Sequence, residues 1–349
     1  MHGTPDYTDN SDYHFINGNN LVDGRIEIYE NTKKVSTSTF FKNNKDLKEN
    51  TLLISINGTI GSIAKYNNEK VMLGKSVGYF NFNNNSDFIY FTLHTKSIQD
   101  YFFSELTGST IKNLSLKTLR ETNIHLPSSE EQIKISYFLS LIDNRIQTQR
   151  KIIEQLASQM SNLKDLIFEQ QLRFKDDKEN EFPNWQESKL EDICEKQSSS
   201  ISANKIEDNI GDYPIYGANG ILKNIDFYDV ENDYISIIKD GAGVGRLLYC
   251  KAKSSVLGTL DIIKSKDVDL YFIFLLLSRI DFKKYITGST IPHIYFKDYK
   301  KEKVQIPSLK EQERIANFFK SLDDKINIEN SLLIQYENQK KYLLQNLFV

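Results

Sequence analysis

The feature that most constrains this chain is that it repeats itself. Thr107-Gly108-Ser109-Thr110-Ile111 recurs 180 residues later as Thr287-Gly288-Ser289-Thr290-Ile291, and the two copies then align without a gap to Phe168 and Phe348. Eighteen of those 62 positions are identical, among them Lys117/Lys297, Pro127-Ser128/Pro307-Ser308, Glu131-Gln132/Glu311-Gln312, Phe138/Phe318 and Asp143/Asp323. A gapless match of that density means duplication, so the chain is two similar halves. Upstream the match loosens but keeps its plan. An apolar run, Leu52 to Ile56, leads through Gly58-Thr59-Ile60-Gly61 to Tyr66; its counterpart runs from Tyr234 to Ile238, through Gly241-Ala242-Gly243-Val244-Gly245, to Tyr249. Glycine turns between β-branched runs predict a meandering β-rich domain in each half. A shared plan with divergent residues is what two different binding surfaces on one scaffold require.

The strict part of the repeat reads as helix. Ser128…Glu131 and Ser308…Glu311 have the S-x-x-E spacing of a capping box, so a helix should start at each. Ile135, Leu139, Ile142, Ile146, Ile153, Leu156, Met160, Leu163 and Ile167 then follow in steps of four and three, broken at Gln149. The second copy gives Ile315, Phe319, Leu322, Ile326, Leu333, Tyr336, Leu343 and Leu347, broken at Glu329 and Lys340. That period keeps one seam against a partner helix. Each helix should run about 40 residues, or roughly 60 Å. The chain visits domain, helix, domain, helix, and a pseudo-twofold would set the helices antiparallel. The charged segment Phe174 to Asn184 reads as a hinge between the halves.

Composition bounds the function. At 349 residues, 39% hydrophobic and 12% aromatic, the chain can bury real cores. Its 44 Lys and Arg against 47 Asp and Glu mean that a nucleic-acid surface would need its cations segregated on one face. Cys194 and Cys250 read as reduced thiols, no run is long enough for a membrane span, and Met1 to Asp6 lacks secretory character; a cytoplasmic protein is expected.

Catalytic motifs fail on inspection. Gly74-Lys75-Ser76 resembles the end of a phosphate loop, but Glu69 stands where its first glycine is needed. Gly241 to Gly245 has Arg246 where a dinucleotide fingerprint needs glycine. No Pro-Pro exists to build an amino-methyltransferase loop, and the five histidines show no metal-ligand spacing with the cysteines. The chain is therefore expected to be no enzyme and to hold no metal or cofactor.

The Gly-Ser-Thr-Ile element, the Leu-Pro-Ser-x-x-Glu-Gln helix start and the following helix resemble the repeated region of type I restriction–modification specificity subunits. So do Gly3-Thr4-Pro5, Trp185…Leu190 and Tyr213 to Gly220. The resemblance implies an α+β fold with two β-rich target-recognition domains joined by two long antiparallel coiled-coil helices. The expected divisions are 1–127, first recognition domain; 128–172, central helix; 173–184, hinge; 185–307, second recognition domain; and 308–349, C-terminal helix. Judged against the family, the first domain lacks about 20 opening residues, since Trp185 to Leu190 has no counterpart before Gly3. Each domain would read one half of a bipartite double-stranded DNA target, and the helices would set the spacer. Partners implied are two methyltransferase subunits and, in the full complex, restriction subunits. S-adenosylmethionine, ATP and magnesium would belong to those partners.

Candidate DNA contacts follow from side-chain chemistry: amides, hydroxyls and cations read bases and phosphates. In the first half they are Lys75, Ser76, Gly108, Ser109, Thr110, Lys112 and Lys117. In the second they are Tyr216, Asn219, Lys239, Arg246, Gly288, Ser289, Thr290, His293 and Lys297. Apolar residues off the helix seam, Phe138, Leu141, Ile152, Leu166, Phe318 and Leu332, are candidates for docking methyltransferase. Two rival readings remain: a coiled-coil adaptor whose β-rich heads bind protein or glycan, and an endonuclease, against which the lack of an acidic metal cluster counts.

Overall fold

The computed structural model describes residues 5–108 and 112–348. The chain forms two compact units, residues 1–151 with 331–349 and residues 152–330. The sequence divisions treat the helices as separate bodies; here each unit takes part of both. The reason is packing. In the first unit Leu139 joins the core under Phe88, Phe91 and Phe102, with Leu343, Leu344 and Phe348 against it. In the second, Ile167, Ile315 and Phe319 are core residues, with Met160, Leu163, Phe318 and Leu322 around them.

The long helices are Ser129–Phe168 and Leu309–Asn346, 40 and 38 residues. The predicted seam of the first helix is turned inward throughout, including Gln149, where the periodicity breaks. Within the first unit Lys340 meets Asp143 at 2.5 Å, Arg145 Nε donates to Tyr336 at 2.9 Å and Arg150 meets Glu337 at 2.7 Å. The two helical stretches there run antiparallel.

The first unit has two small sheets. Thr51–Ser55 lies between Ile63–Lys65 and Val77–Asn81, antiparallel to both. Tyr13–Ile16 lies between Lys34–Val35 and Val71–Leu73, parallel to the latter. The second unit repeats the plan. Tyr234–Ile238 lies between Leu247–Cys250 and Leu260–Ser265, antiparallel to both, and Tyr213–Gly217 lies between Gly220–Ile225 and Ser255–Val256, parallel to the latter. Thr51–Ser55 and Tyr234–Ile238 are buried along their whole length, which is why each reads as a continuous apolar run rather than an alternating one. Among the described residues, two elements occur only in the second unit: Cys194–Ser198, added to the edge of Leu260–Ser265, and the pair Gln186–Lys189 with Lys303–Ile306.

The repeated Pro-Ser-x-x-Glu-Gln motif explains how helix and sheet domain are joined. Gln132 donates to the Pro127 carbonyl and accepts from Asn85 at the start of helix Ser86–Leu93. Gln312 donates to the Pro307 carbonyl and accepts from the Asp269 amide at the start of helix Leu270–Leu277. Each glutamine thus ties the first turn of a long helix to the start of a short one. The expected capping boxes differ. The Ser128 hydroxyl accepts from the Glu131 amide at 3.3 Å, but the buried Ser308 hydroxyl has no partner among the described residues. Glu311, fully buried, instead takes two hydrogen bonds from Arg173. Arg173 also donates to the carbonyls of Phe182 and Pro183, so the segment expected as a hinge is clamped onto the second unit. Among the described residues, no helix is long and apolar enough to cross a membrane.

Candidate nucleic-acid interface

In each unit the residues that flank the Thr-Gly-Ser-Thr-Ile stretch pair with each other and dock beside a glycine turn. Thr287 and His293 exchange both backbone hydrogen bonds, at 2.8 and 2.9 Å, as Thr107 and Asn113 do at 3.0 and 2.9 Å. The Ile294 amide then donates to the Lys239 carbonyl, and the Leu114 amide to the Ile56 carbonyl. Gly288 has φ +89°, and a Cβ there would lie 2.4 Å from the Ile291 carbonyl, so only glycine permits the closure. The scaffold is shared while its exposed residues differ: Ile56, Asn57 and Asn113 occupy the places of Lys239, Asp240 and His293.

The second unit gathers most of its expected residues at one place. Gly288, Ser289 and Thr290 are exposed, and His293 forms isolated bridges both to Thr287 and to Asp240 at the glycine turn. Lys297 lies over the exposed Tyr295 ring at 5.0 Å, and Tyr295 meets His293 edge-on at 5.2 Å. Arg246 is exposed and donates to the Ala218 carbonyl and to Asn219. Lys239 is half-buried, 3.9 Å from both Asp240 and Asp261, which makes it a paired cation rather than a free one. Tyr216 is a correction. Its ring is only 7% exposed and its hydroxyl accepts from the Lys251 amide, so it offers no face to a base. Burial also pushes its phenol pKa upward.

The first unit is more dispersed. Ser109 and Thr110 lie outside the described residues. Gly108 and Lys112 are exposed beside them, and Lys117 reaches Glu121 on its own helix at 3.9 Å. Ser76 is occupied structurally: it accepts from the Gly18 amide and donates to Asn17. Lys75 lines a cavity with Ile56, on which the loop docks, together with Lys42, Lys45 and Arg120. Tyr295 and these three cations are absent from the sequence candidates; a lone aromatic and scattered lysines carry no spacing signal.

Among the off-seam helix residues, Phe138, Leu141, Ile152 and Leu166 are exposed. Phe318 is a correction: it is half-buried, packed against Phe174 and Phe319, and Leu332 is also only partly exposed. Ile133 and Tyr137, 59% and 67% exposed, extend the row of Leu141 at four-residue spacing and are missing from the sequence candidates. Among the described residues, no group of three His, Cys, Asp or Glu side chains is placed to hold a metal.

A family profile described as the type I restriction modification DNA specificity domain matches the chain twice, over residues 3–158 and 183–338. The chain belongs to that family. The two matches coincide with the duplication and each includes one closed Thr-Gly loop. Among curated relatives, the type I restriction enzyme MjaVIII specificity subunit of Methanocaldococcus jannaschii is 26% identical, over 94% of this chain and 87% of its own length. The putative MjaX specificity subunit of the same organism is 30% identical, over 68% of this chain and 60% of its own length. The crystal structure of a type I restriction–modification S subunit from M. genitalium matches 98% of this chain and 90% of its own, with a TM-score of 0.66 at 19% identity. That likeness shows a common specificity-subunit fold.

Proposed function

We propose that this specificity subunit reads a bipartite double-stranded DNA target, one half per unit, without catalysing any reaction. The two long helices act as an antiparallel coiled coil that sets the spacer between the half-sites. Two methyltransferase subunits dock on the exposed rows that include Ile133, Tyr137, Phe138 and Leu141, and restriction subunits complete the assembly. S-adenosylmethionine, ATP and magnesium are used on those partners, in the cytoplasm.

The observation that carries this reading is the pair of closed loops. Both share Thr-Gly-Ser-Thr-Ile and are held by the same backbone hydrogen bonds, yet the positions around them differ: Ile56, Asn57 and Asn113 in the first unit against Lys239, Asp240 and His293 in the second. Identical backbone with different donors and acceptors is how one scaffold reads two sequences, because base identity is set by side-chain edges while backbone contacts set register. The test is the methylation motif in cells that co-express the chain with its methyltransferase, read by single-molecule sequencing. His293→Asn with Lys297→Ala should degrade one half of the motif and leave the other half and the spacer unchanged. Simultaneous loss of both half-sites with the protein intact would refute independent reading.

A further inference from the structure

Three side chains of the second unit stand in one row beside the glycine turn. His293 is paired with Thr287 on one side and with Asp240 on the other. Residues directly opposite each other in antiparallel pairing project to the same face, so Thr287, His293 and Asp240 share a face. Thr287 and His293 exchange both backbone hydrogen bonds. Asp240 and His293 exchange none; the bonds beside them run from the Gly241 amide to Pro292 and from the Ile294 amide to Lys239. That is the non-hydrogen-bonded kind of pair, in which side chains come closest. The first unit builds the same row, with Asn113 paired to Thr107 and to Asn57. The threonine is common to both rows, while Asn113 and Asn57 stand where the second unit has His293 and Asp240.

In the second unit the chemistry of the row is one-sided. His293 Nδ1 lies 3.0 Å from the Ile291 carbonyl, which only accepts, so Nδ1 carries the proton and Nε2 of the neutral ring is an acceptor. The ring is held in place. A Cβ on Gly288 would lie 2.7 Å from its Cε1, and Tyr295 meets it edge-on at 5.2 Å. The Asp240 side chain is 41% exposed, and its ion-pair partner is Lys239 at 3.9 Å. Among the described residues neither the Asp240 carboxylate nor His293 Nε2 takes part in a hydrogen bond. The Thr287 hydroxyl is turned to its own backbone, donating to the His293 carbonyl at 3.3 Å. The row therefore offers two acceptors side by side.

Phosphate oxygens only accept, so such a pair repels the backbone of DNA, whereas a base amino group presents the donors it lacks. A paired ribbon fits the major groove, where the amino groups are those of cytosine and adenine. Adenine sets its acceptor N7 beside its amino group, which a second acceptor repels; cytosine has no such neighbour on its own edge. We propose that Asp240 and His293 read a cytosine in the half-site of the second unit by accepting from its amino group. This rests on the DNA-reading proposal above and adds the base class. Lys239, between Asp240 and Asp261, offsets the repulsion that a carboxylate meets among phosphates. The first unit's residues follow the same logic: an asparagine amide combines acceptor and donors and suits the amino group and N7 of adenine. The backbone row is common, and its two variable members set the hydrogen-bond pattern.

The test is the methylated motif in cells that co-express the full chain with its methyltransferase, compared between wild type and Asp240→Asn with His293→Asn. The expected result is that one C·G pair of one half-site becomes A·T in the double variant. The spacer, the other half-site and the remaining positions should be unchanged. In titrations of the wild-type complex, a duplex with 2-pyrimidinone, which lacks the amino group, in place of that cytosine should bind about tenfold more weakly. The same replacement should cost an Asp240→Ala complex less than about twofold. An unchanged motif in the double variant, a change at a pair other than C·G, or a half-site without C·G overturns the proposal. If the double variant methylates nothing, 2-pyrimidinone placed in turn at every cytosine of both half-sites decides. No cytosine whose amino group matters to wild type and not to Asp240→Ala then overturns it. Failure here leaves a half-site that still depends on the second unit, whereas failure of the DNA-reading proposal leaves none.

Discussion

Replacing Arg173 with methionine should destabilise the second unit far more than the loss of an ordinary surface ion pair would. Glu311 is fully buried, and Arg173 meets it at 2.8 Å. Removing the guanidinium leaves a carboxylate stranded in a core that includes Ile315 and Phe319. Breaking one partner of a buried pair costs about 3–5 kcal/mol. With a urea m-value of about 2 kcal/mol/M, the midpoint should fall by about 1.5–2.5 M. The only tryptophan reports this unit: Trp185 is buried, edge-on to Phe168 at 5.9 Å and to Phe272 at 6.0 Å. The assay is therefore urea unfolding of the full chain followed by tryptophan fluorescence. Arg173→Met with Glu311→Leu removes both charges and should recover most of the loss, because an apolar replacement of a buried pair is often near neutral. A single-variant cost under about 1 kcal/mol, or a double variant no better than the single, would refute the claim that burial of the charge sets the magnitude.

Three further outcomes are expected. Burial pushes the pKa of His94 down to about 4, with Lys340 and Lys65 acting in the same direction, so the folded first unit favours neutral His94. Its contribution is complete above the unfolded pKa of about 6.5 and is lost as pH falls towards 4, by about 2–3 kcal/mol; hydrogen exchange of residues 86–104 in His94→Asn should lose that pH dependence. Tyr137→Asp with Leu141→Asp should abolish co-purification of methyltransferase while circular dichroism is unchanged, and retained stoichiometric complex would remove this row from the docking surface. Four-residue insertions after Gln155 and after Ile328 add about 6 Å of rise to both helices, close to two base-pair steps. The methylated spacer should lengthen by one or two base pairs with unchanged half-sites, and an unchanged spacer at full activity would mean that the helices do not set it.

The long helices and the doubled plan were legible because they rest on periodicity and identity, which survive at the level of single letters. The seam from Ile135 to Ile167 needs only spacing. The closed Thr-Gly loops were located as candidates, but their docking on Ile56 and Lys239 is a long-range backbone contact with no local sequence mark. Tyr216 misled because an aromatic in a turn-rich stretch looks exposed, while its place between two strands buries it. Phe318 misled for the opposite reason: it lies off the helix seam, yet Phe174 comes from the preceding segment to cover it. The clamp by Arg173 was invisible, since 138 residues separate it from Glu311.

The two starts of the long helices share a motif and differ in how they let go. Ser129–Phe168 begins at an exposed Glu131, held by one serine hydroxyl and the Gln132 tie. Leu309–Asn346 begins at a Glu311 locked by a cation from a distant segment. On the timescale of amide exchange the first start should open by fraying, while the second should open only when the whole unit around Trp185 does. Repeated letters therefore encode unequal lifetimes. Amides of residues 132–136 should exchange well before those of 312–316, giving the molecule one end that breathes and one that waits.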